Sequence, residues 1–308
     1  MQQTLQNVLS IDRAKLPSVA ELEHPLVLEI LDHWEQHGAP PKASSMEEVL
    51  LRVGEFIAFL NTYGGQVQIP FVLDQKPRYD AEESPLRFSS AGKCGRALAY
   101  KKLHPEQAES LTVRSLSVFM LGHAIHDLER ALIRLVVPLR NVEDTVTLEL
   151  NGETVEGHMD GIIELESGPV LLDVKTTSDA SFDRMLREGP SYDYAAQLNL
   201  YMHAAGLEAG FLWLYNKNTS SRFILEVPKD PKLIEEVLAR WTQVQQATPD
   251  NLPDRMYTFQ SETRKGKPTG RDYLPWQCGY CQFVSTCWSQ EGFEKVVEGG
   301  KTRWIREV

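Results

Sequence analysis

Residues 155–177 read VEGHMDGIIELESGPVLLDVKTT, and this stretch decides how the rest of the chain is interpreted. Two runs of aliphatic and β-branched residues flank a turn signal at residues 166–169, which is the pattern of a β-hairpin. Side chains alternate across a sheet, so Asp173 and Lys175 project from the same face. Asp160 lies about as far before the turn as Asp173 lies after it. An antiparallel pairing without a bulge therefore places the two aspartates side by side.

Two neighbouring aspartates in an apolar ribbon are electrostatically unfavourable. Like charges opposite each other destabilise a sheet, and Asp160 and Asp173 lie among apolar residues where an unpaired charge is costly. A hard divalent cation removes this penalty, and oxygen ligands suit Mg²⁺ or Mn²⁺. Lys175 beside them can contact a phosphate or orient an attacking water. The alternative is a solvated hairpin edge with a salt bridge and no metal.

The composition is that of an ordinary globular protein of 308 residues with a formal net charge of -11. This length allows one large domain or a core with an added lobe. The negative charge argues against a protein that coats nucleic acid, because such binding uses Lys and Arg. An enzyme acting on nucleic acid needs only a local basic groove. With no leader pattern and no apolar run long enough to span a bilayer, we expect a cytoplasmic protein without membrane contact. The oligomeric state is not indicated.

Hydrophobic periodicity predicts a mixed sheet covered by helices, an α/β class. The predicted helices are residues 20–36, 45–63, 115–136, 181–188, 193–205 and 231–246, and the predicted strands besides the hairpin are 142–150, 211–215 and 223–227. We divide the chain into an N-terminal helical lobe (1–75), a connector with the first cysteine (76–114), a core (115–250) and a C-terminal segment (251–308).

Two predicted helices carry polar pairs on one face. In residues 115–136, His126 and Glu129 are three apart, which makes them a workable metal-binding pair, and His123 lies one turn earlier. A histidine in a helix is more often structural or exposed, so this pair needs support from elsewhere. Gln197 and Tyr201 lie one turn apart in the predicted helix at residues 193–205.

The cysteines predict a metal or cluster site. Cys278, Cys281 and Cys287 lie close together, and two residues between the first pair let both sulfurs reach one centre. Three thiolates are too few for a closed structural zinc or iron-sulfur site, which requires four. Cys94 is the remaining cysteine, so the site would join the start of the core to its end.

With these motifs in order, the chain resembles the PD-(D/E)XK nucleases of the RecB-like branch, and within it the iron-sulfur exonucleases, which include CRISPR adaptation nucleases and the nuclease domain of AddB-type helicase-nucleases. Met159-Asp160 and Asp173-Val174-Lys175 match the first acid and the second acid, spacer and lysine. Residues 122–126 resemble the G-x-x-x-H helix, which selects His126 over His123. Residues 197–201, QLNLY, resemble the Q-x-x-x-Y helix. The likeness covers residues 89–288 and leaves the N-terminal lobe unexplained.

The resemblance implies a restriction-endonuclease-like mixed β-sheet flanked by helices, with a C-terminal segment stapled by a 4Fe-4S cluster. The cluster ligands it implies are Cys94, Cys278, Cys281 and Cys287, and Zn²⁺ at the same cysteines is the alternative. It also implies metal-dependent hydrolysis of DNA, commonly by an exonuclease on single strands or ends. Recombination, repair, replication and CRISPR or phage DNA processing all suit this activity, as does a helicase, recombinase or integrase partner.

The resemblance assigns roles to the matching residues. The ligands it implies for Mg²⁺ or Mn²⁺ are His126, Asp160, Asp173 and the Val174 carbonyl. Lys175 would position the nucleophile and stabilise developing negative charge. Gln197 and Tyr201 would orient Lys175 or the DNA backbone.

Clusters of basic residues are candidates for DNA phosphate contacts, although such runs are usually solvated surface. The candidates are Lys93, Arg96, Lys101, Lys102, Arg184, Arg187, Arg264, Lys265, Lys267 and Arg271. The main rival to a nuclease is a non-catalytic DNA-binding or assembly subunit stapled by a cluster or zinc. A zinc hydrolase that uses the cysteines catalytically is disfavoured, because four thiolates leave no open coordination position.

Overall fold

The computed structural model describes residues 40–62, 84–110, 113–298 and 301–308. The α-helices of these residues are α1 (Met46–Thr62), α2 (Gly95–Leu103), α3 (Val113–Arg134), α4 (Asp179–Glu188), α5 (Tyr192–Ala205), α6 (Pro231–Gln245), α7 (Trp276–Gly279) and α8 (Val284–Cys287). The strands are β1 (Leu139–Arg140), β2 (Thr145–Leu150), β3 (Glu153–His158), β4 (Gly161–Leu165), β5 (Gly168–Thr177), β6 (Ala209–Asn216), β7 (Arg222–Pro228), β8 (Gln260–Arg264), β9 (Lys267–Tyr273), β10 (Glu294–Glu298) and β11 (Lys301–Glu307).

A five-stranded mixed sheet with the order β1-β4-β5-β6-β7 forms the centre. Strands β5 and β6 pair in parallel, and the other neighbours in this sheet are antiparallel. Leu171 packs in a hydrophobic cluster with residues of α5 and α6, whereas Leu172 and Val174 pack in a second cluster with residues of α1 and α3. The central strand is therefore buried on both faces by helices, which confirms the predicted fold class.

The predicted hairpin register is confirmed. Gly161 pairs with Leu172 and Leu165 pairs with Gly168, so Asp160 and Asp173 are the next positions in the same register. The prediction that the first hairpin strand begins at Val155 is wrong, because Val155 belongs to β3. That strand pairs with β2 in a separate two-stranded sheet.

Gly161 explains the break between β3 and β4. Its φ is +153°, and a Cβ atom at this position would lie 2.7 Å from Leu139 Cδ1. Glycine allows the chain to take this conformation so close to a neighbouring side chain. The segment between the two strands thus leaves the β2–β3 sheet and delivers Asp160 to the edge of β5.

The other predicted core elements lie within a few residues of those found, and the C-terminal sheet was missed. Strands β8 to β11 form a four-stranded antiparallel sheet with the order β10-β11-β9-β8. The predicted helix at residues 20–36 lies outside the described residues, as does most of the predicted N-terminal lobe. The domain boundaries stay predictions. None of the described helices combines the length and apolarity that crossing a membrane requires.

Candidate active site

Two aspartates and a lysine meet beside the central strand. Lys175 Nζ lies 2.7 Å from Asp173 Oδ2, and the backbone N–H of Val174 donates to Asp160 Oδ2 at 2.7 Å. The Asp173 residue is 4% exposed. His126 on α3 completes the group, with its Nδ1 3.4 Å from Asp160 Oδ1. The structure therefore gathers the predicted histidine, both acids and the lysine at one point.

An arginine that sequence reasoning missed also contacts Asp160. Arg130 Nη1 lies 3.1 Å from Asp160 Oδ1, and the same guanidinium pairs with Asp127 and Glu143. Arg130 is one helical turn after His126, so the i, i+4 spacing on α3 was the available signal. The charge penalty from which a divalent cation was inferred is thus offset in this structure by Arg130, His126 and Lys175.

Electrostatic effects keep Asp160 and Lys175 charged. Burial acts to raise the pKa of Asp160, but its contact with His126 and the charges of Lys175 and Arg130 lower that pKa to about 2. Burial acts to lower the pKa of Lys175, yet the charges of Asp173 and Asp160 outweigh it and raise the pKa. Lys175 is therefore an ammonium ion paired with Asp173, whose own pKa is raised chiefly by burial.

The donor set fits a hard divalent cation, although the side chains are not closed around one. Within the described parts of the chain, no three His, Cys, Asp or Glu side chains form a group that could hold a metal ion. Asp173 Oδ2 is buried, and the one partner found for it among the described residues is the Lys175 ammonium at 2.7 Å, which leaves one of its two lone pairs unused. A buried carboxylate oxygen with this spare capacity, beside a second carboxylate and an imidazole, offers the ligand types that Mg²⁺ or Mn²⁺ takes.

Gln197 and Tyr201 make hydrogen bonds close to the two acids. Gln197 Nε2 donates to Asp173 Oδ1 at 3.3 Å, and the Tyr201 hydroxyl donates to the carbonyl oxygen of His158 at 2.6 Å. His158 is the last residue of β3 and lies two positions before Asp160. These hydrogen bonds go to Asp173 and to the segment that carries Asp160, and the expected role of both side chains in orienting Lys175 or the DNA backbone stays a prediction.

Glu129 is a structural residue in this fold, so the interpretation of His126 and Glu129 as a metal-binding pair is wrong. Glu129 is fully buried and accepts hydrogen bonds from Arg222 Nε and Nη2, each at 2.7 Å. Trp213 Nε1 donates to it at 2.8 Å. Glu129 lies three positions after His126, so its side chain points about 60° away from that of His126 around the helix axis. This rotation places His126 at the sheet edge and Glu129 in the core.

Glu129→Ala should lower the free energy of unfolding by about 3–5 kcal/mol, because it leaves the Arg222 guanidinium without its buried partner. Urea denaturation followed by circular dichroism measures this loss. Glu235→Ala on α6 is the matched control, since Glu235 is exposed and its removal should change stability by no more than about 0.5 kcal/mol. Equal losses in the two variants would contradict the structural role of Glu129.

The family model of the PD-(D/E)XK nuclease superfamily matches residues 86–288. This chain belongs to that superfamily. The match covers both aspartates, the lysine and all four cysteines. It therefore confirms the family expected from the ordered motifs, and it supports assignment of the chain as a nuclease.

Solved structures include similar chains at low identity. The crystal structure of SSO0001 is 16% identical with a TM-score of 0.44, and the match covers 76% of this chain and 96% of that one. An alkaline exonuclease, LHK-Exo from Laribacter hongkongensis, is 13% identical with a TM-score of 0.37, covering 52% and 86%. The LHK-Exo complex with dAMP is 14% identical with a TM-score of 0.40, and the match covers 54% of this chain and 91% of that one. No curated protein sequence matches the chain.

All four cysteines of this PD-(D/E)XK chain line one cavity of about 340 Å³. Cys94 lies at the start of α2, and the other three come from α7, α8 and the turn between them. Burial, followed by the charges of Cys281 and Cys94, raises the pKa of Cys278 to about 12. Burial also raises the pKa of Cys281, to about 11. The fold thus brings Cys94 to the C-terminal cysteines, and burial favours the protonated form of Cys278 and Cys281.

Several basic residues proposed to contact DNA have partners within the protein. Arg96 Nε donates to the Pro253 carbonyl at 2.7 Å, and Lys93 Nζ lies 3.7 Å from Asp193 Oδ2. Lys102 donates to two backbone carbonyls at the end of α6, and Arg271 makes ion pairs with Glu262, Glu298 and Glu307. Lys101 lines the cysteine cavity. Arg187 on α4 and Lys265 in the β8–β9 turn are exposed, as are Arg264 and Lys267 beside that turn.

Tyr194 is a second residue near the site that the sequence analysis missed. Lys175 Nζ lies 5.4 Å from the centre of the Tyr194 ring, in a cation–π arrangement. Tyr194 precedes Gln197 by three positions on α5, so shared helix-face spacing could have identified it.

Proposed function

We propose that this chain is a metal-dependent DNA nuclease that digests single strands or DNA ends by hydrolysing phosphodiester bonds. The observation that carries the proposal is the convergence of Asp160, Asp173 and Lys175 beside β5, with Asp173 almost fully buried. Two carboxylates and a protonated amine at a buried strand edge suit hydrolysis of a phosphate ester. The superfamily match supports the same class of reaction.

The residues we propose to hold Mg²⁺ or Mn²⁺ are His126, Asp160, Asp173 and the Val174 carbonyl. Such a cation, when bound, supplies a Lewis acid that polarises the phosphate and activates water. The donor types and the spare capacity of Asp173 Oδ2 support this assignment. Arg130 would then give up or share its contact with Asp160.

The chain's own residues have distinct roles in this proposal. Lys175 carries the positive charge that stabilises negative charge developing on the phosphate. Gln197 fixes Asp173, and the Val174 N–H fixes Asp160 through a charge-assisted hydrogen bond. Arg184 on α4 stays a candidate for a phosphate contact.

We further propose that the four cysteines hold a 4Fe-4S cluster, as in the iron-sulfur branch that the chain resembles. The shared cavity of about 340 Å³ supports this. In a zinc site, all four sulfurs lie about 2.3 Å from one ion, which requires them to be close together. Zn²⁺ at the same four cysteines is the alternative. The cluster is proposed as structural, because hydrolysis transfers no electrons. A helicase, recombinase or integrase partner stays a prediction.

The experiment that tests the function compares linear and circular DNA. Protein purified without oxygen is incubated with end-labelled linear single strands, end-labelled duplexes and closed circular single strands, in Mg²⁺ or Mn²⁺. We expect the linear single strands to be digested from an end, the circles to persist, and a chelator to stop digestion. Cleavage of circles as fast as linear strands would show that the protein is an endonuclease, because circles have no ends. No cleavage of any substrate in either metal would reject the nuclease.

Lys175→Met should lower the single-turnover cleavage rate by about a hundredfold, because it removes a charge that stabilises the transition state. Mn²⁺ affinity, measured by calorimetry, should not weaken, since an ammonium group near the acids repels a cation. Lys229→Met is the matched control, because Lys229 pairs with Glu208 on the surface. Weaker Mn²⁺ binding together with a normal cleavage rate would contradict this role of Lys175.

A further inference from the structure

Phe88 lies six residues before Cys94 and packs in the same hydrophobic cluster as residues of α5 and α6. It begins a 3-10 turn, Phe88–Ser90, and its side chain is fully buried. The ring stacks on Tyr201 with centroids 4.7 Å apart and an interplanar angle of 20°. The Phe88 and Trp241 rings form a T-shaped pair with centroids 6.5 Å apart, and Trp241 lies on α6. The aromatic ring therefore joins α5 to α6 through two ring contacts.

The same ring also supports β3. A Cβ atom at Gly157 would lie 2.6 Å from Phe88 Cδ2 and 2.7 Å from Phe88 Cγ, distances at which one of the two groups must move. Glycine at this position lets the strand backbone rest directly on the aromatic side chain. Phe88 thus contacts β3 one residue before its end at His158.

A short series of contacts continues from Phe88 to the first aspartate. Tyr201, stacked on Phe88, donates its hydroxyl hydrogen to the carbonyl oxygen of His158 at 2.6 Å. Two residues later, Asp160 accepts the Val174 N–H at 2.7 Å. The ring of Phe88 is therefore separated from Asp160 by one stacked ring, one hydrogen bond and two residues of backbone.

Phe88 is itself firmly held by the loop that follows it. A Cβ atom at Gly92 would lie 2.3 Å from Asp193 Cα at the start of α5. Arg240 Nη2 donates to the carbonyl oxygen of Ala91 at 2.5 Å. The loop from Phe88 to Cys94 is thus packed between α5 and α6, so the phenylalanine ring is a fixed support rather than a mobile side chain.

We infer that Phe88 is a positioning residue for Asp160, acting through Tyr201 and the His158 carbonyl. The inference rests on the proposed function only in that Asp160 is taken as a catalytic acid. A flat ring is required because it stacks on Tyr201 on one side while it meets the bare backbone of Gly157 on another. Leucine can fill a similar volume, but it offers no flat surface, so the Tyr201 hydroxyl and the end of β3 would lose their common support.

Hydrogen exchange at the Val174 amide tests this inference without metal or DNA, because that N–H is bound to Asp160 itself. In Phe88→Leu we expect the NMR protection of Val174, relative to the Leu214 amide of β6, to fall about tenfold, as for a weakened hydrogen bond to a charged group. Phe182→Leu is the matched control from the same hydrophobic cluster. It should lower the protection of both amides together and leave their ratio unchanged.

A double-mutant cycle tests the route through Tyr201. Tyr201→Phe removes only the hydroxyl that contacts His158, so it also serves if Phe88→Leu does not fold. It should lower the ratio of Val174 to Leu214 amide protection about as much as Phe88→Leu does. The double variant should show no larger loss of this ratio than either single variant. An unchanged ratio in Tyr201→Phe, or additive losses in the double variant, would overturn the inference. Because the ratio is measured without metal or DNA, inactivity of the wild type on DNA would reject the proposed function and leave this result standing.

Discussion

Asp173→Asn is expected to lower the rate of DNA cleavage about a thousandfold, which corresponds to roughly 4 kcal/mol of lost transition-state stabilisation. Asparagine keeps the size and one oxygen of the side chain but removes its negative charge. Single-turnover digestion of an end-labelled linear strand measures the rate, and circular dichroism checks that the fold is intact.

The size of this effect follows from the surroundings of Asp173. The residue is 4% exposed, so little water can replace a lost charge interaction. One carboxylate oxygen accepts from Gln197 at 3.3 Å, and the other lies 2.7 Å from Lys175 Nζ, the one partner found for it among the described residues. Replacing the carboxylate with an amide leaves Lys175 without its nearest counterion and removes the anionic oxygen that the proposed cation needs.

Asp183→Asn is the control for this prediction, because Asp183 is an exposed aspartate on α4 and the same change of atoms is made there. It should cleave DNA at the wild-type rate. A second comparison uses Gln197→Ala, for which we expect a loss of only about 10–100-fold, the usual effect of removing a residue that orients a metal ligand. Cleavage by Asp173→Asn at the wild-type rate would show that the reaction centre lies elsewhere.

The pairing of the two aspartates could be predicted because a β-hairpin has a fixed period. Once residues 166–169 were recognised as a turn, the alternation of side chains determined which positions face each other, and the observed pairs Gly161–Leu172 and Leu165–Gly168 follow that register. The start of the first strand could not be obtained in this way. Residues 153–158 have a strand pattern of their own, and only the tertiary arrangement shows that they pair with β2.

Helical spacing gave weaker information about the site than strand alternation. His126, Glu129 and Arg130 all lie within about one turn of α3, but His126 and Arg130 contact Asp160, whereas Glu129 pairs with Arg222. The helix axis must be placed against the sheet before one can tell which of these side chains reaches the strand edge and which is buried. That placement depends on packing between segments distant in sequence, so Arg130 was missed and Glu129 was misinterpreted.

Cys281→Ser is expected to remove the brown colour of protein purified without oxygen and to lower its stability by on the order of 5 kcal/mol or more, a part of the ~10–16 kcal/mol that structural metals contribute in small domains. Cys281 comes from the turn between α7 and α8, and the cavity that it lines is also formed by Cys94 at the start of α2. A cluster here would join two segments about 180 residues apart in sequence, so its loss frees a long chain loop.

Tyr280→Ser is the control for Cys281→Ser, because it changes the neighbouring residue and keeps all four cysteines. Tyr280 immediately precedes Cys281 and lines the same cavity, but it is 84% exposed, so its side chain can be removed while all four cysteines are kept. Visible absorbance, iron and sulfide content and urea denaturation should match the wild type in Tyr280→Ser and all fall in Cys281→Ser. A colourless wild type that contains zinc would show that the four cysteines bind Zn²⁺ and not a 4Fe-4S cluster. A wild type without iron or zinc, whose stability is unaffected by Cys281→Ser, would contradict any metal at these cysteines, and the C-terminal segment would then be held by its apolar contacts around Trp288 and Phe293.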